Sequence, residues 1–399
     1  MMTATADILR ATRDGWLASV SPDGLVPGPF LEPPDIAMLQ DSTGWNGAHL
    51  AEAVRRAFSP FNDKELADMC EAGPGPNAGL VLLAILAGRV PALAVKVAFH
   101  CAAAGVHAAI KPSSLEPVFA GLLAKSFNRA GREGLVSLVP PGSPQATDHV
   151  RNAPLCLVYG SDLTVSTVVA GRSGKPTLTG PHMESFAVVF ASAISTFEQA
   201  RNVAEAIALD TVVYDQDGCL SPVAALVQEG GAVTVDRFAE MILDAMLASN
   251  LKPGRIEIDD LAALRMFERE ATISGNIDSV IRSSVGIPPL VVLCDQVRKG
   301  PGMRTLQVAS FAKGADSIPN LAAIVGHIEG RVQGMAVAGR AGQIDDMLKA
   351  FPRFSPNYLC DPGRMQDPPA LWNENGYVLY RELMSPIDAT AKGPITRPS

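Results

Sequence analysis

Residues 107–139 read HAAIKPSSLEPVFAGLLAKSFNRAGREGLVSLV, and this stretch decides the fold class. It opens with a short apolar strand, His107–Ile110, continues with helical spacing over Pro117–Ala130, and closes with a second strand, Gly134–Val139. Strands that are apolar almost throughout and alternate with helices are typical of a parallel sheet covered by helices on both faces. The chain is therefore predicted to be an α/β protein.

The same alternation extends on both sides of a junction near residue 208. Before it, we predict strands at Pro154–Tyr159 and Phe186–Ala191, and a helix that begins with a capping box of Ser195 and Glu198 and runs to about Ala208. After the junction, strands are predicted at Ala224–Gln228, Leu290–Leu293, Leu306–Ala309 and Val332–Ala338, and helices after Thr234 and over Asn320–Glu329. The pattern indicates two α/β units.

The two ends of the chain differ from this pattern. Prolines are frequent between residues 22 and 34, so the first thirty or so residues are predicted to form a loop-rich arm, and residues 384–399 are polar enough for an arm or a disordered tail. Helical spacing is present at 47–58 and 79–104.

Composition excludes several classes of function. Of 399 residues, 47% are hydrophobic and 19% charged, which indicates a globular chain. The net charge of −8 without a basic run argues against nucleic acid and anionic membranes as partners. Charged residues and Pro91 interrupt the apolar stretch 79–110, so no membrane span is expected, and the absence of a signal-like N-terminus favours a cytoplasmic location. The six scattered cysteines favour reduced thiols, with no metal site.

Cys219 is the leading candidate for chemistry. It lies in the segment 214–222, YDQDGCLSP, after the apolar run Leu209–Val213, which we interpret as a strand ending in a glycine turn. A thiol on such a turn is well placed to act as a nucleophile, because the glycine leaves room for a reactant to approach the backbone. The alternative is that Cys219 is a small buried hydrophobic residue, as most lone cysteines are.

Further candidates lie at predicted strand ends of the first unit. Lys111 follows the strand His107–Ile110 and would point into a ligand crevice, or it is a solvated surface lysine. Gly160 and Ser161 follow another strand, where backbone N–H groups can approach a diphosphate, although many strand ends carry this pair. The glycine-rich stretch 171–177 lacks the spacing of a phosphate loop.

Several segments together resemble a known superfamily. Residues 110–117 (IKPSSLEP), 134–142 (GLVSLVPPG) and 157–161 (LVYGS) look like the cofactor half of the aldehyde dehydrogenase superfamily, and Cys219 falls where that superfamily keeps its nucleophile. Finer features resemble the acyl-CoA reductase family within it: 158–162, 180–187 (GPHMESFA), 215–222, 361–365 (DPGRM) and Asn375-Gly376.

The resemblance implies an aldehyde dehydrogenase-like fold of two doubly wound parallel-sheet domains with the active site between them. Residues 1–208 would form the N-terminal arm and a Rossmann-like dinucleotide-binding domain. Residues 209–375 would form the catalytic domain that bears the cysteine nucleophile, and residues 376–399 a C-terminal tail.

The resemblance also implies a reaction. An acyl-CoA or another acyl thioester would be reduced to an aldehyde through an acyl-enzyme on Cys219, with Asn77 at the position of an oxyanion-stabilising amide. Ser114 occupies the place where relatives that prefer NAD carry an acidic residue, which favours NADPH, with NADH as the alternative. The implied cofactor-binding residues are Lys111, Ser113, Ser114, Gly160 and Ser161.

The sequence is also compatible with functions other than a reductase. The superfamily's deacylating base falls near Gly180, and Glu184 is displaced from it, which suits a reductase; with Glu184 as base the chain would instead be an oxidising aldehyde dehydrogenase. A catalytically silent scaffold is the third possibility. His182 is either a proton donor or structural. Expected partners are acyl-CoA or a carrier-protein thioester, an acyl-synthetase enzyme and further copies of the chain.

Overall fold

The computed structural model describes residues 4–140, 144–172, 174–180, 182–273, 279–282, 288–314, 317–326, 330–350, 352 and 355–386. The chain divides into two compact units. The first contains the residues up to His182 together with those from Pro369 onward, and the second is Met183–Pro368. The predicted boundary lay at 208/209; the structure divides the chain earlier because the strand that follows His182 belongs to the second unit's sheet.

The first unit is built around a parallel sheet. Its elements are α1 (Ala4–Leu17), β1 (Val20–Ser21), β2 (Gly24–Leu25), α2 (Pro33–Thr43), α3 (Gly47–Phe58), α4 (Asp63–Glu71), β3 (Val81–Ile85), α5 (Pro91–Ala104), β4 (His107–Lys111), α6 (Val118–Arg129), β5 (Val136–Leu138), α7 (Pro144–Asn152), β6 (Leu155–Tyr159), α8 (Asp162–Gly171) and β7 (Thr177–Gly180). Within the described residues, the sheet has five strands in the order β5-β4-β3-β6-β7.

This strand order places a crevice at one edge of the sheet. The chain runs from β3 outward to β5, then returns to add β6 and β7 on the other side of β3. In such doubly wound sheets, ligands bind outside the carboxyl ends of the strands where the order reverses. The register pairs Ile85 with both Lys111 and Val158, so the ends of β4 and β6 flank the end of β3. The helix and strands predicted within 107–159 are present with small shifts of their ends.

The N-terminal region is not the loop-rich arm that its prolines suggested. Residues 4–17 form α1, because apolar side chains recur at helical spacing before the first proline is reached. Trp16 is fully buried, stacks on Phe58 at a centroid distance of 5.4 Å, and donates from Nε1 to Ser126 Oγ at 2.9 Å. The prediction was wrong because it weighed prolines that begin only at Pro22.

The second unit carries a larger sheet. Its elements are β8 (Glu184–Val189), a 3₁₀ helix (Ala191–Ile194), α9 (Phe197–Val212), a turn (Val213–Gln216), β9 (Pro222–Gln228), α10 (Val235–Ala248), α11 (Ile258–Ile273), β10 (Ser279–Arg282), β11 (Leu290–Leu293), β12 (Thr305–Phe311), α12 (Ser317–Ile324), β13 (Val332–Ala338), α13 (Ala341–Ala350) and β14 (Tyr358–Cys360). As far as the structure describes the chain, seven strands follow the order β10-β11-β12-β9-β8-β13-β14. All neighbours are parallel except β10 and β11.

Three details of the second unit differ from the prediction. The capping box of α9 consists of Thr196 and Gln199, one residue later than the predicted pair. The helix then continues to Val212, so the run Leu209–Val213 is mostly helix and not a strand. Cys219 therefore follows a helix and precedes a strand. The predicted helix 320–329 is α12, displaced toward the N-terminus, and residues 327–329 lie outside the described part.

The C-terminal segment returns to the first unit. Helix α14 (Leu379–Met384) buries Leu379 and Leu383 and packs on α5, and the Tyr380 hydroxyl donates to the Met69 carbonyl. The chain from residue 376 is thus ordered structure up to residue 386, where a tail was predicted, because its apolar side chains cover α5. Residues 387–399 of the predicted tail lie outside the described residues. None of the described helices is long and apolar enough to cross a bilayer.

His100 on α5 offers a test of this packing. It is 1% exposed, and its Nε2 lies 3.0 Å from the Ala370 carbonyl, which identifies Nε2–H as the donor. Burial and, to a lesser extent, the charge of Lys96 lower the pKa of His100 to about 3. The unfolded chain therefore binds a proton below about pH 6.5 that the folded chain does not, and stability is lost as the pH falls from there toward the folded pKa.

We expect His100→Gln, which can keep an N–H donor for Ala370, to reduce the dependence of the unfolding free energy on pH below about 6.5. The contribution removed is up to about 1.4 kcal/mol per pH unit. Urea denaturation near pH 7 and near pH 5 measures it, and His107→Gln, at an exposed histidine, is the control. An unchanged slope in His100→Gln would show that this histidine is hydrated.

Candidate active site

The loop that carries Cys219 begins with three consecutive residues in the left-handed region. Tyr214, Asp215 and Gln216 have φ values of 58°, 52° and 67°. Such conformations cost non-glycine residues on the order of 1–2 kcal/mol each, so the surrounding structure must hold them in place. The strained residues turn the chain sharply from the end of α9 toward β9, and Cys219 lies in between.

A buried ion pair holds the middle of this strained run. Arg304 Nε and Nη2 both lie 2.7 Å from Asp215 Oδ1, and Asp215 Oδ2 accepts the Gly254 N–H at 2.9 Å. The side chains of Arg304 and Asp215 are 2% and 7% exposed. Arg304 also has a left-handed backbone conformation, with a φ of 57°. The ion pair therefore joins two strained segments, one at residues 214–216 and one at Arg304.

Gln216 connects the strained run to two strands. Its Nε2 donates to the carbonyl oxygens of Pro222 and Thr305, at 2.7 and 2.9 Å, and its Oε1 accepts the Thr305 N–H at 2.7 Å. Pro222 begins β9 and Thr305 begins β12, so this one amide fixes the loop to two neighbouring strands of the sheet.

Cys219 itself is presented to solvent. It is exposed, whereas the other five cysteines are buried or half-buried: Cys70, Cys101, Cys156, Cys294 and Cys360. Burial raises the pKa of the Cys156 thiol to about 11 and that of the Cys360 thiol to about 12, so these thiols are poor nucleophiles. Among the cysteines, accessibility therefore singles out Cys219.

The backbone of Cys219 is fixed from β8. Ser185 Oγ donates to the Cys219 carbonyl at 2.7 Å and accepts the Gly334 N–H at 2.9 Å. Gly334 allows this close approach, because an added Cβ would stand 2.7 Å from Leu220 Cδ2 and 3.1 Å from Ser185 Oγ. The nucleophile candidate thus sits on a loop tied to β8, β9, β12 and, through Ser185, β13.

The carboxyl edge of the first unit's sheet carries two predicted cofactor positions. Lys111 ends β4 and is half-buried. Gly160 follows β6, and Ser161 is the N-cap of α8, where its Oγ accepts the Thr164 N–H at 3.3 Å. The structure brings these residues to the same edge, on either side of the end of β3.

The loop after Lys111 offers no unengaged carboxylate. Ser113 is half-buried and its Oγ accepts the Leu115 N–H at 3.2 Å, while Ser114 is exposed. The acidic residue of this loop, Glu116, accepts the N–H groups of Val118 and Phe119, both at 3.0 Å, so it caps α6. Burial raises the pKa of Glu116, which is consistent with its enclosed position. The exposed part of the loop is therefore neutral.

Asn77 makes different contacts from those its predicted role requires. It is 4% exposed, and Nδ2 donates to the carbonyl oxygens of Leu383 and Ser385 at 2.8 and 2.7 Å. Both amide hydrogens are thus used to hold the C-terminal segment. Stabilisation of an oxyanion by Asn77 stays a prediction, and it would require the loss of one of these bonds.

Glu184 and His182 lie on either side of the unit boundary. His182 is exposed, and its backbone N–H lies 3.4 Å from Asp162 Oδ1. Glu184 is buried at the start of β8, and its backbone N–H donates to the Arg331 carbonyl. The pairing of β8 is irregular here, since its register shifts between Ser185 and Phe186 against β9 and between Glu184 and Phe186 against β13. A role of Glu184 as a base stays a prediction.

Sequence reasoning missed the residues that hold the loop. Arg304 and Asp215 are 89 positions apart, and no local pattern links them. Asp210 is fully buried near the end of α9, where it accepts the N–H groups of Gly363 and Met365 at 2.6 and 3.0 Å. A charged residue within an apolar helical run was the available signal for Asp210.

The described residues contain no cluster of histidine, cysteine and carboxylate side chains that could hold a metal.

Solved structures show which class of fold this is. An oxidoreductase from Marinobacter aquaeolei is 14% identical, with a TM-score of 0.70 over 90% of this chain and 78% of that one. The aldehyde dehydrogenase KauB from Pseudomonas aeruginosa is 15% identical, with a TM-score of 0.67 over 90% and 76%. An NADP dependent enzyme from E. coli is 18% identical, with a TM-score of 0.68 over 91% and 78%. The chain thus has the aldehyde dehydrogenase fold, as predicted.

The family follows from a more specific match. Residues 76–383 match the model of the acyl-CoA reductase (LuxC) family, so the chain belongs to that family. It is therefore an oxidoreductase of the aldehyde dehydrogenase superfamily, and the resemblance found in the sequence is confirmed. No curated protein sequence gives a significant match to the chain.

The buried ion pair beneath the Cys219 loop can be tested directly. Arg304→Met leaves Asp215 buried without its cation, and we expect the unfolding free energy to fall by about 3–5 kcal/mol. Arg237→Met is the matched control, because Arg237 pairs with Glu240 at the same distance of 2.7 Å but both side chains are 49% exposed. Its expected loss is below about 1 kcal/mol. Equal losses in urea denaturation would contradict the account.

Proposed function

We propose that the chain is an NADPH-dependent acyl-thioester reductase that converts acyl-CoA to an aldehyde through an acyl-enzyme on Cys219. The observation that carries this proposal is the accessible Cys219 on a firmly anchored loop, in a member of the acyl-CoA reductase family. The five other thiols are buried or half-buried, so none of them offers a comparable nucleophile.

The proposed chemistry begins with the Cys219 thiolate. Its sulfur attacks the thioester carbonyl carbon, and the CoA thiolate leaves and takes up a proton. When bound, NADPH would supply the hydride that reduces the acyl carbon. Hydride addition would leave a thiohemiacetal alkoxide on Cys219, and cleavage of the carbon–sulfur bond then releases the aldehyde and the Cys219 thiolate. Acyl-CoA, NADPH and a proton are consumed, and aldehyde, CoA and NADP⁺ are formed.

The loop geometry supports this role for Cys219. A nucleophile must be held within a fraction of an ångström of its productive position, and the loop is fixed by the Asp215–Arg304 pair, by Gln216 and by Ser185. The Cys219 backbone N–H is the proposed oxyanion donor, together with Asn77 as predicted from the sequence.

The residues at the edge of the first sheet fit a dinucleotide. The N-terminus of α8, after Gly160 and Ser161, offers backbone N–H groups and a favourable helix dipole for a diphosphate. Lys111 would pair with the 2′-phosphate of NADPH, and Ser113 and Ser114 would lie beside the adenine ribose. Because Ser114 is exposed and neutral, and Glu116 is engaged in capping α6, the loop suits a ribose that carries a 2′-phosphate.

The reductive direction is supported by the residues found at the position of the superfamily's deacylating base. A hydrolytic dehydrogenase needs a base that activates water against the acyl-enzyme. In the sequence, the corresponding position falls near Gly180, which has no side chain, and Glu184 is displaced from it. An acyl-enzyme without such a base survives until hydride reaches it.

Substitution of the nucleophile is the central test. We expect Cys219→Ala to lower NADPH-dependent reduction of acyl-CoA on the order of 10³-fold or more. Intact-protein mass spectrometry after incubation with acyl-CoA should show an acyl adduct on the wild type and on the control Cys360→Ala, but not on Cys219→Ala. Full activity of Cys219→Ala would refute the proposal.

The same preparation separates the two alternative functions. Aldehyde and NADP⁺ without CoA would yield acid at a comparable rate only if the chain were an oxidising aldehyde dehydrogenase. A silent scaffold would show neither acyl labelling of Cys219 nor binding of NADPH. We further propose acyl-CoA or a carrier-protein thioester as the acyl donor, an acyl-synthetase as partner, and assembly of several copies of the chain.

Cofactor preference has its own test at Ser114. A carboxylate there should repel a 2′-phosphate and accept the hydroxyls of an unphosphorylated ribose. We expect Ser114→Glu to raise KM for NADPH by about tenfold or more and to lower KM for NADH. The control is Ser59→Glu, an exposed serine after α3. An unchanged ratio of the two KM values would contradict the placement of the adenine ribose.

A further inference from the structure

Gln366 spans the two ends of the Cys219 turn. It is 5% exposed, and its Nε2 donates to Ser221 Oγ at 2.9 Å. Its amide also lies against Gly218, where an added Cβ would stand 3.2 Å from Gln366 Oε1. Gly218 and Ser221 close the turn through the Ser221 N–H, which donates to the Gly218 carbonyl at 2.9 Å. Cys219 lies between them.

Gln366 is itself held on both sides. The carboxylate of Asp210 accepts the N–H groups of Gly363 and Met365, the residue directly before Gln366. The Tyr358 hydroxyl lies 3.0 Å from the carbonyl oxygens of Arg364 and Asp367, and burial raises the pKa of this hydroxyl, so it stays a donor. The segment 361–367 is therefore a rigid support.

These contacts form a closed path through the second unit. Helix α9 carries Asp210 and leads into the Cys219 turn; the turn contacts Gln366; and the segment that bears Gln366 returns to Asp210. A displacement of the segment 361–367 would move Gln366, and therefore also the turn 218–221 that carries the Cys219 thiol.

We propose that Gln366 is a positioning residue for Cys219: it fixes the turn through Ser221 and Gly218 and so sets the orientation of the thiol. The inference rests on the proposed function in that Cys219 is taken as the nucleophile. Gln366 contacts neither substrate nor cofactor in this proposal; it acts through the turn. Small misplacements of a reacting group are costly, so the effect should be kinetic as well as structural.

The test measures thiol reactivity without substrate or cofactor. We expect Gln366→Ala to slow alkylation of Cys219 by iodoacetamide about tenfold and to change its pH profile, with Cys219 identified as the modified residue by peptide mass spectrometry. In the reductase assay, kcat should fall by a similar factor while KM for acyl-CoA changes little. Gln343→Ala, a half-buried glutamine on α13 that accepts from Ser192, is the matched control.

A second variant distinguishes the loss of this hydrogen bond from misfolding of Gln366→Ala. Ser221→Ala removes only the acceptor of the Gln366 amide, and it should slow alkylation in the same direction. The double variant should be no slower than Gln366→Ala, because both substitutions break the same hydrogen bond. Alkylation at the wild-type rate and with the wild-type pH profile in either folded single variant would overturn the inference.

Failure of the proposed function would look different. A wild type that alkylates rapidly at Cys219 but reduces no acyl-CoA would refute the reductase proposal. In that case a slow Gln366→Ala and a slow Ser221→Ala would still support the positioning role, and two variants at the wild-type rate would still refute it.

Discussion

The buried pair of Arg304 and Asp215 is the interaction on which the candidate active site depends. Three left-handed residues before Cys219 and the left-handed Arg304 are costly conformations. Asp215 is held by Arg304, and Gln216 is held by Thr305. A buried ion pair is weak evidence for stability in general, because desolvation offsets the attraction. Its value here lies in geometry, because the guanidinium joins Asp215 of the Cys219 loop to the segment directly before β12.

In the first unit, the strand order of the sheet brings the candidate residues together. Doubly wound strand order brings Lys111, Gly160 and Ser161 to one edge although they are distant in sequence. A buried ion pair also supports this edge, because Glu374 pairs with Lys96 and accepts the hydroxyl of Tyr159, the last residue of β6, at 2.8 Å. One unit thus presents a rigid thiol, and the other an open edge with helix N–H groups and a lysine.

Much of this was predictable from the sequence, and the failures have physical causes. Continuous apolar runs bounded by glycine and proline located β4, β6, β9 and β13, because burial on both faces leaves no other pattern. Leu209–Val213 was misjudged because Val and Thr favour strands locally, whereas packing and the Thr196 cap extend α9 through them. The contact of Asn77 with Leu383 and the contact of Arg304 with Asp215 join residues far apart in the chain, and composition says nothing about such pairs.

The return of the C-terminal segment has a consequence for how the protein is made. On the ribosome, the second unit leaves the exit tunnel before the segment that covers α5. Until then the first unit lacks Glu374 for Lys96, the Ala370 carbonyl for His100 and the two carbonyls for Asn77. The nascent first unit therefore exposes an apolar helix with unpaired polar groups for the time it takes to synthesise the second. We expect the first unit to be the part that depends on chaperones.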